Sequence, residues 1–322
     1  LVFKLAFLNR TILSIDIGTY ETKVVEGKIT HKGIVINNFF SFLTPEGAYR
    51  DGHILEKELL YYVLKEELRK NKLSSKITYL TIKSSSIITE EIKIPVVKDK
   101  DIEGILKYEL KEYLPIGIED YIIQYKILNK MKVEEIEKLR ILLIAIPKEI
   151  VENHFILLRD LGLKPTVLDF QLNSVSKLLK YNQIINENQD IKDTVIALID
   201  LGFINTSVII NRNDDILFNQ SIEFGGDSMN ENRMNGIDKG DIEIMLKEIN
   251  SVFVNYKKIY KEDEIRKIFL YGGLSNIKDM GNIFEKYFNM PSIRIKNMDN
   301  IYLKEDLNKY VNCVGCIIRA GE

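Results

Sequence analysis

The chain has 322 residues, of which 45% are hydrophobic and 29% charged, with a formal net charge of -2. That length points to two lobes, that composition to an ordinary buried core and not to disorder, and the near-neutral charge argues against nucleic acid as a partner. Two cysteines, Cys313 and Cys316, make no disulfide framework, and no apolar run approaches the roughly 20 residues that span a bilayer.

Residues 1–10 (LVFKLAFLNR) are apolar but short, with no small-residue cleavage site after them, and read as an edge strand or tail rather than a secretory signal. Residues 11–25 (TILSIDIGTYETKVV) predict a strand that runs into Asp16-Ile17-Gly18, turns, and returns. A strand over 34–42 and a turn at 44–47 lead to a helix over 55–71, with Leu55, Leu59, Leu60, Val63, Leu64 and Leu68 on one face. Residues 76–94 are rich in β-branched side chains and read as two strands ended by Pro95. Asp99 caps a helix that runs to about Leu114, where Pro115 stops it, and strands follow over 121–128 and 140–146. The order strand, helix, strand, strand predicts a compact inserted subdomain over 76–147. It interrupts a first lobe made of 1–75 and 148–185.

The helix over 148–161 turns Val151, Phe155, Leu158 and Leu161 inward and ends at Gly162. A short strand over 165–168, a helix over 172–181 and a polar linker over 182–192 come next. The second lobe, 193–322, opens as the first did: residues 194–210 (TVIALIDLGFINTSVII) again carry a strand into Asp-x-Gly, here Asp200-Leu201-Gly202, and back. This internal repeat outweighs either copy alone. A strand over 216–223 ends in Gly225-Gly226. A helix over 241–261 faces Met245, Ile249, Val252, Phe253, Tyr256 and Ile259 inward, and a strand over 267–271 ends in Gly272-Gly273. A helix over 278–288, a strand at 293–295 and a C-terminal helix complete the chain.

Glycine turns let backbone N–H groups approach an anion closely. Gly18 with Thr19, Gly202 with Asn205 and Thr206, and Gly225 with Gly226 therefore form a candidate phosphate-binding set, to which Lys23 adds a point charge. Asp16 and Asp200, each ending a strand, are candidates to hold Mg²⁺ through water. Gly272, Gly273 and Ser275 are assigned to the nucleoside side. Cys313-Val-Gly-Cys316 lacks partners for a zinc site, since His31, His53 and His154 lie far off in sequence, and reads as packing. No Ser/His/Asp arrangement stands out.

These loops resemble the actin, sugar kinase and Hsp70-type ATPase fold, an α/β ribonuclease H-like architecture of two lobes. More narrowly, the chain resembles the PilM family of type IV pilus assembly proteins, to which the division protein FtsA is a cousin. The resemblance rests on SIDIGTYETKVVEG, LTPEGAYRDGHILEKELL, IKIPVVKDKDIEGILKYELKEYLPIGIEDYIIQYKIL and LLIAIPKEIVENHFILLRDLGLKPTVLDF, whose turns, prolines and glycines fall in family order. It implies a cytoplasmic scaffold, peripheral at the inner face of the membrane, that binds the N-terminal tail of a PilN-like protein in a groove between about 76 and 146. Tyr108, Leu110 and Tyr113 on the inserted helix are the candidate contacts. It also implies ATP and Mg²⁺ as ligands, with the pilus motor ATPase and a second copy of the chain as further partners.

The departures from the family pattern bear on the nucleotide. Tyr20 and Glu21 stand where small hydroxyl residues are usual, Phe203 and Ile204 are bulky, and the span between Gly226 and Gly272 is short for a further subdomain. The expectation is a reduced second lobe and a weak ATP site, at most a weak ATPase. A working ATPase or sugar kinase of this fold is the alternative, as is an FtsA-like polymer former, although the chain's end shows no amphipathic membrane-targeting helix.

Overall fold

The computed structural model describes residues 10–109, 117–133, 136–213, 215–229 and 239–319. Ile12–Ile17 (β1) buries all six of its residues, as a central strand covered on both faces does. It turns back as β2 (Glu21–Thr30) and β3 (Gly33–Leu43). A small ribbon of Tyr49–Arg50 (β4) and His53–Ile54 (β5) leads into α1 (Lys57–Lys70). β6 (Ile77–Ile82) then lies parallel to β1. The inserted unit follows as β7 (Ile88–Pro95), α2 (Asp99–Glu109), β8 (Tyr121–Val133) and β9 (Ile136–Pro147), with strand order β7-β9-β8. It has its own small core, in which Ile102 and Leu106 of α2 pack with Ile92, Ile94, Leu139, Ile141 and Leu143 of the strands.

Three elements return the chain to the first lobe: α3 (Lys148–Asp160), β10 (Lys164–Phe170) and α4 (Gln171–Tyr181). After a ribbon of Ile184–Ile185 (β11) and Gln189–Asp190 (β12), the second lobe is built from β13 (Ile196–Leu201), β14 (Thr206–Arg212), β15 (Asp215–Ile222), α5 (Lys239–Ile259), β16 (Lys267–Tyr271), α6 (Met280–Phe288) and β17 (Ser292–Arg294). β18 (Ile301–Tyr302) and α7 (Val311–Ile317) end it.

The two large sheets are the same sheet built twice. The first runs β10-β6-β1-β2-β3 and the second β17-β16-β13-β14-β15, with β18 added beyond β3. Registers repeat as well: Asp16 lies opposite Lys23 and Thr81, and Asp200 opposite Ser207 and Tyr271. The duplicated Asp-x-Gly sequence is thus a duplicated piece of structure. Between the glycine pair 225–226 and β16, the described residues form a short 3-10 turn at Gly226–Ser228 and then α5.

Two boundaries differ from the sequence reading. β6, placed in the inserted subdomain, pairs in parallel with both β1 and β10, so the inserted sheet begins at Ile88. The chain's end, assigned to the second lobe, crosses back: β18 extends the first sheet beside β3, and α7 packs on α4, β1, β2 and β6. Gly315 makes that crossing possible, because a Cβ there would collide with the backbone of Ser174.

Three helix faces also shift. In α1 the buried stripe is Leu60 and Leu64, while Leu55 and Leu59 are exposed, because the helix starts only at Lys57 and covers the sheet with a narrow stripe. In α3 the inward side chains are Ile150, His154, Leu157 and Leu158, a face turned one position from Val151 and Phe155. Ile259, the last residue of α5, faces solvent.

Candidate functional site

β1 and β13 deliver their C-terminal ends to one cleft between the lobes, the position where sheets of this kind bind ligands. Each strand feeds a tight turn, 18–21 and 202–205. A Cβ on Gly18 would sit 2.7 Å from the Glu21 carbonyl oxygen, and one on Gly202 would sit 2.6 Å from that of Asn205, so both turns close only on glycine. Gly272 has φ +87, and a side chain there would strike the Asp200 carboxylate.

Most of the sequence-predicted residues meet here. Asp16, Gly18, Thr19 and Lys23 line the cleft from the first lobe. Asp200, Gly202, Asn205, Gly272 and Gly273 line it from the second. Four others do not reach its surface. Thr206 is buried and donates to the Phe224 carbonyl at 2.8 Å. Gly225 and Gly226 back the turn at Phe203, where the Asp227 amide donates to the Phe203 carbonyl at 2.7 Å. Ser275 is buried, donates to the Gly272 carbonyl at 2.7 Å and accepts from Asn308 Nδ2 at 3.1 Å. These four shape the glycine turns from behind.

The two aspartates are not equivalent. Asp200 Oδ2 accepts from Lys83 Nζ at 2.9 Å and from Gln171 Nε2 at 2.6 Å. Gln171 Nε2 also donates to the Tyr271 hydroxyl at 3.0 Å, and Ser207 donates to its Oε1 at 3.2 Å. Burial, with Asp200 adding to it, holds the Tyr271 phenol well above its ordinary pKa. Asp16 has one long hydrogen bond, from Asn312 Nδ2 at 3.3 Å. Its pKa is raised, chiefly by burial, with Lys23 opposing and Asp200 adding to the rise. Asn312 Oδ1 is buried without a partner among the described residues.

Mg²⁺ prefers one or two carboxylates and keeps several waters. Asp16 meets that need only in part: it is a single carboxylate, and the Lys23 ammonium, from the residue paired opposite it in the hairpin, already acts on it. Asp200 does not meet it, since one oxygen already carries an ammonium and an amide while the other abuts Gly272. A magnesium ion shared by the two aspartates therefore does not fit the cleft as it is built. Among the described residues no cluster of three His, Cys, Asp or Glu side chains could hold a metal. Cys313 and Cys316 are both buried in the first lobe's core, and burial pushes both thiols up.

Beyond the bond from Gln171 to Asp200, three further contacts among the described residues cross the cleft between the lobes. The Tyr20 ring stacks on Phe203, with centroids 4.9 Å apart and planes at 27°. Arg50 pairs with Asp227 at 3.0 Å. Lys83 reaches the Asn205 carbonyl at 3.1 Å as well as Asp200. What remains open is a cavity of about 110 Å³, well short of the roughly 300–1,000 Å³ of ordinary ligand pockets. Glu21, the other departure in the first turn, is held by Lys309 at 2.8 Å and needs no metal to neutralise it.

Sequence reasoning missed Lys83, Gln171, Asn312 and Asp51, all of which line or support this cleft. One signal was available for Lys83: it directly follows an apolar strand, and strand ends of α/β sheets carry sites. Of the expected partner contacts, Tyr108 is 73% exposed on the open side of α2, while Leu110 and Tyr113 lie outside the described residues. A second groove, of about 470 Å³, runs beside the inserted unit between β7 and β15, the edge strands of their sheets, and is floored by Phe170 and Gln171.

The family model for the type IV pilus assembly protein PilM matches residues 14–244. The chain belongs to the PilM family. Among solved structures, the PilM–PilN type IV pilus biogenesis complex superposes with a TM-score of 0.74 at 19% identity, over 95% of this chain and 96% of that one. The ethanolamine utilization protein EutJ of Carboxydothermus hydrogenoformans gives 0.53 at 11% identity, over 98% and 97%. A Bacteroides thetaiotaomicron protein of actin-like ATPase fold and unknown function gives 0.51 at 11%, over 98% of each chain. At these identities the likenesses show the fold, which is actin-like. No curated protein matches the chain by sequence. No helix among the described residues of this PilM-family chain is long and apolar enough to cross a membrane.

Proposed function

We propose that this chain is an assembly scaffold of a type IV pilus, cytoplasmic and peripheral to the membrane, which binds the N-terminal tail of a PilN-like membrane protein beside its inserted unit. The observation that carries this is the family match over 14–244, which takes in both glycine turns and the whole insert. The solved relative of similar fold and extent is a PilM–PilN complex. The groove between β7 and β15 suits an extended tail, because edge strands offer unpaired main-chain groups and an added peptide can use them.

The cleft is read as a nucleotide site of low affinity whose ligand is structural rather than turned over. Support comes from its paired glycine turns on one side, and from the aromatic stack and small cavity on the other. The test is capture of the chain by an immobilised synthetic peptide with the sequence of a PilN-like protein's N-terminal tail. Wild type should bind and Ile88→Arg, in the groove wall, should not. A chain that ignores the tail yet releases phosphate from ATP steadily would sink the scaffold reading in favour of an ATPase. Micromolar affinity for Mg-ATP by calorimetry would sink the low-affinity reading.

A further inference from the structure

Each glycine turn of the cleft has a lysine ammonium laid against it. Lys23 Nζ lies 3.2 Å from where a Cβ on Gly18 would be, and Lys83 Nζ lies 3.2 Å from the same point on Gly202. The two lysines have different origins. Lys23 belongs to the hairpin of its own turn, opposite Asp16. Lys83 comes from the other lobe, at the end of β6, and crosses the cleft to pair with Asp200. That pair is well shielded, the side chains being 22% and 8% exposed.

We infer that Lys83 is the resident cation of this cleft. Its ammonium takes the place on Asp200 that a divalent ion would need, so a polyphosphate is bound here without a metal. The inference rests on the reading of the cleft as a nucleotide site. The charge argument is direct. A polyphosphate next to an unpaired Asp200 would be repelled, and a divalent ion is the usual remedy. Here Asp200 is neutralised before any ligand arrives, and Lys83 reaches the turn carbonyl of Asn205 too, which fixes it over the glycine. Lys23 is the matching charge on the opposite turn. Because Lys83 spans the lobes, the same contact holds the cleft together in the absence of ligand.

The test is equilibrium dialysis of labelled ATP, at millimolar concentration, against wild type, Lys83→Arg and Lys83→Gln, each in magnesium and in EDTA. Wild type and Lys83→Arg should bind with dissociation constants within about three-fold in the two media. Lys83→Gln should bind in magnesium but weaken by about ten-fold or more in EDTA, because its bare carboxylate then needs a metal. Manganese titration by electron spin resonance, without nucleotide, gives a second readout: Lys83→Gln should gain a bound ion that wild type lacks. Wild-type binding that itself falls about ten-fold in EDTA overturns the inference, leaves the nucleotide site standing, and needs no variant to fold. Wild type that binds ATP in neither medium removes the nucleotide reading and the inference with it.

Discussion

The ring of Tyr20, in the first glycine turn, stacks on that of Phe203, in the second, with centroids 4.9 Å apart. The two residues occupy the third and second places of equivalent turns, so the internal repeat brings them together across the cleft. On the nucleotide reading proposed above, the stack bridges the two glycine turns that would hold a phosphate chain, and such a ligand has to part it. An aromatic pair adds about 0.5–1.5 kcal/mol beyond its buried area. Phe203→Ala should therefore tighten ATP binding by up to about ten-fold, because the competent open form no longer forfeits the stack. Dialysis against wild type measures this. An unchanged or weaker affinity would show that the rings support the site rather than shut it.

That stack also marks what could and could not be read from sequence. Asp16 and Asp200 were legible because the same strand, turn and strand occur twice, and repetition fixes both their position and their glycines. Tyr20 and Phe203 were visible as departures, but not as partners, since nothing in one dimension says that equivalent turns face each other. Lys83 and Gln171 were hidden for a different reason. Their roles depend on β6 lying parallel to β1 and on α4 starting beside Asp200, and a β-branched run such as 76–94 does not announce which sheet each strand joins. The return of α7 to the first lobe was equally hidden, because a short helix carries no mark of its lobe.

His154 gives the fold a pH dependence of predictable sign. It is buried in α3, where Nδ1 donates to the Ile150 carbonyl at 2.7 Å and Nε2 accepts from the Tyr49 hydroxyl at 3.2 Å. Burial lowers its pKa from 6.5 to about 4, against the opposing pull of the Ile150 carbonyl. Below 6.5 the unfolded chain takes up a proton that the folded chain refuses until about 4. Stability is thus fully present above pH 6.5 and falls as pH drops through this window, by about 3 kcal/mol from this residue. Urea melts between pH 7 and 4 should show the loss, and His154→Gln should flatten that stretch. An equal slope in the variant would place the dependence elsewhere.

Arg140 ties the inserted unit to the second lobe. From β9 it donates to Glu91 Oε2 on β7 at 2.6 Å and to the Tyr260 hydroxyl beyond α5 at 3.2 Å. Hydrogen bonds to charged groups contribute about 1.5–3 kcal/mol each way they are broken, so Arg140→Ala should lose about 2 kcal/mol in chemical denaturation. Arg50→Ala is the comparison. Its pair with Asp227 also spans the lobes, but both side chains are well exposed, and such pairs contribute about 0–1 kcal/mol. Equal losses in the two variants would mean that burial does not decide between them.

Two glycines in helices make opposite predictions. Gly315 in α7 lies against the backbone of Ser174 in α4, where a Cβ would collide. Backbone cannot swing aside as a side-chain tip can, so Gly315→Ala must push the helices apart, at about 1–3 kcal/mol for an overpacked core. That shift would also disturb Asn312, whose side chain reaches Asp16 from the same helix. Gly104 in α2 has nothing within 4 Å of its Cβ position. Alanine there only removes freedom from the unfolded chain and should stabilise by about 0.5–1 kcal/mol. Thermal melts of the two variants should move in opposite directions, and a Gly315→Ala protein as stable as wild type would show that α7 does not dock on α4 at this distance.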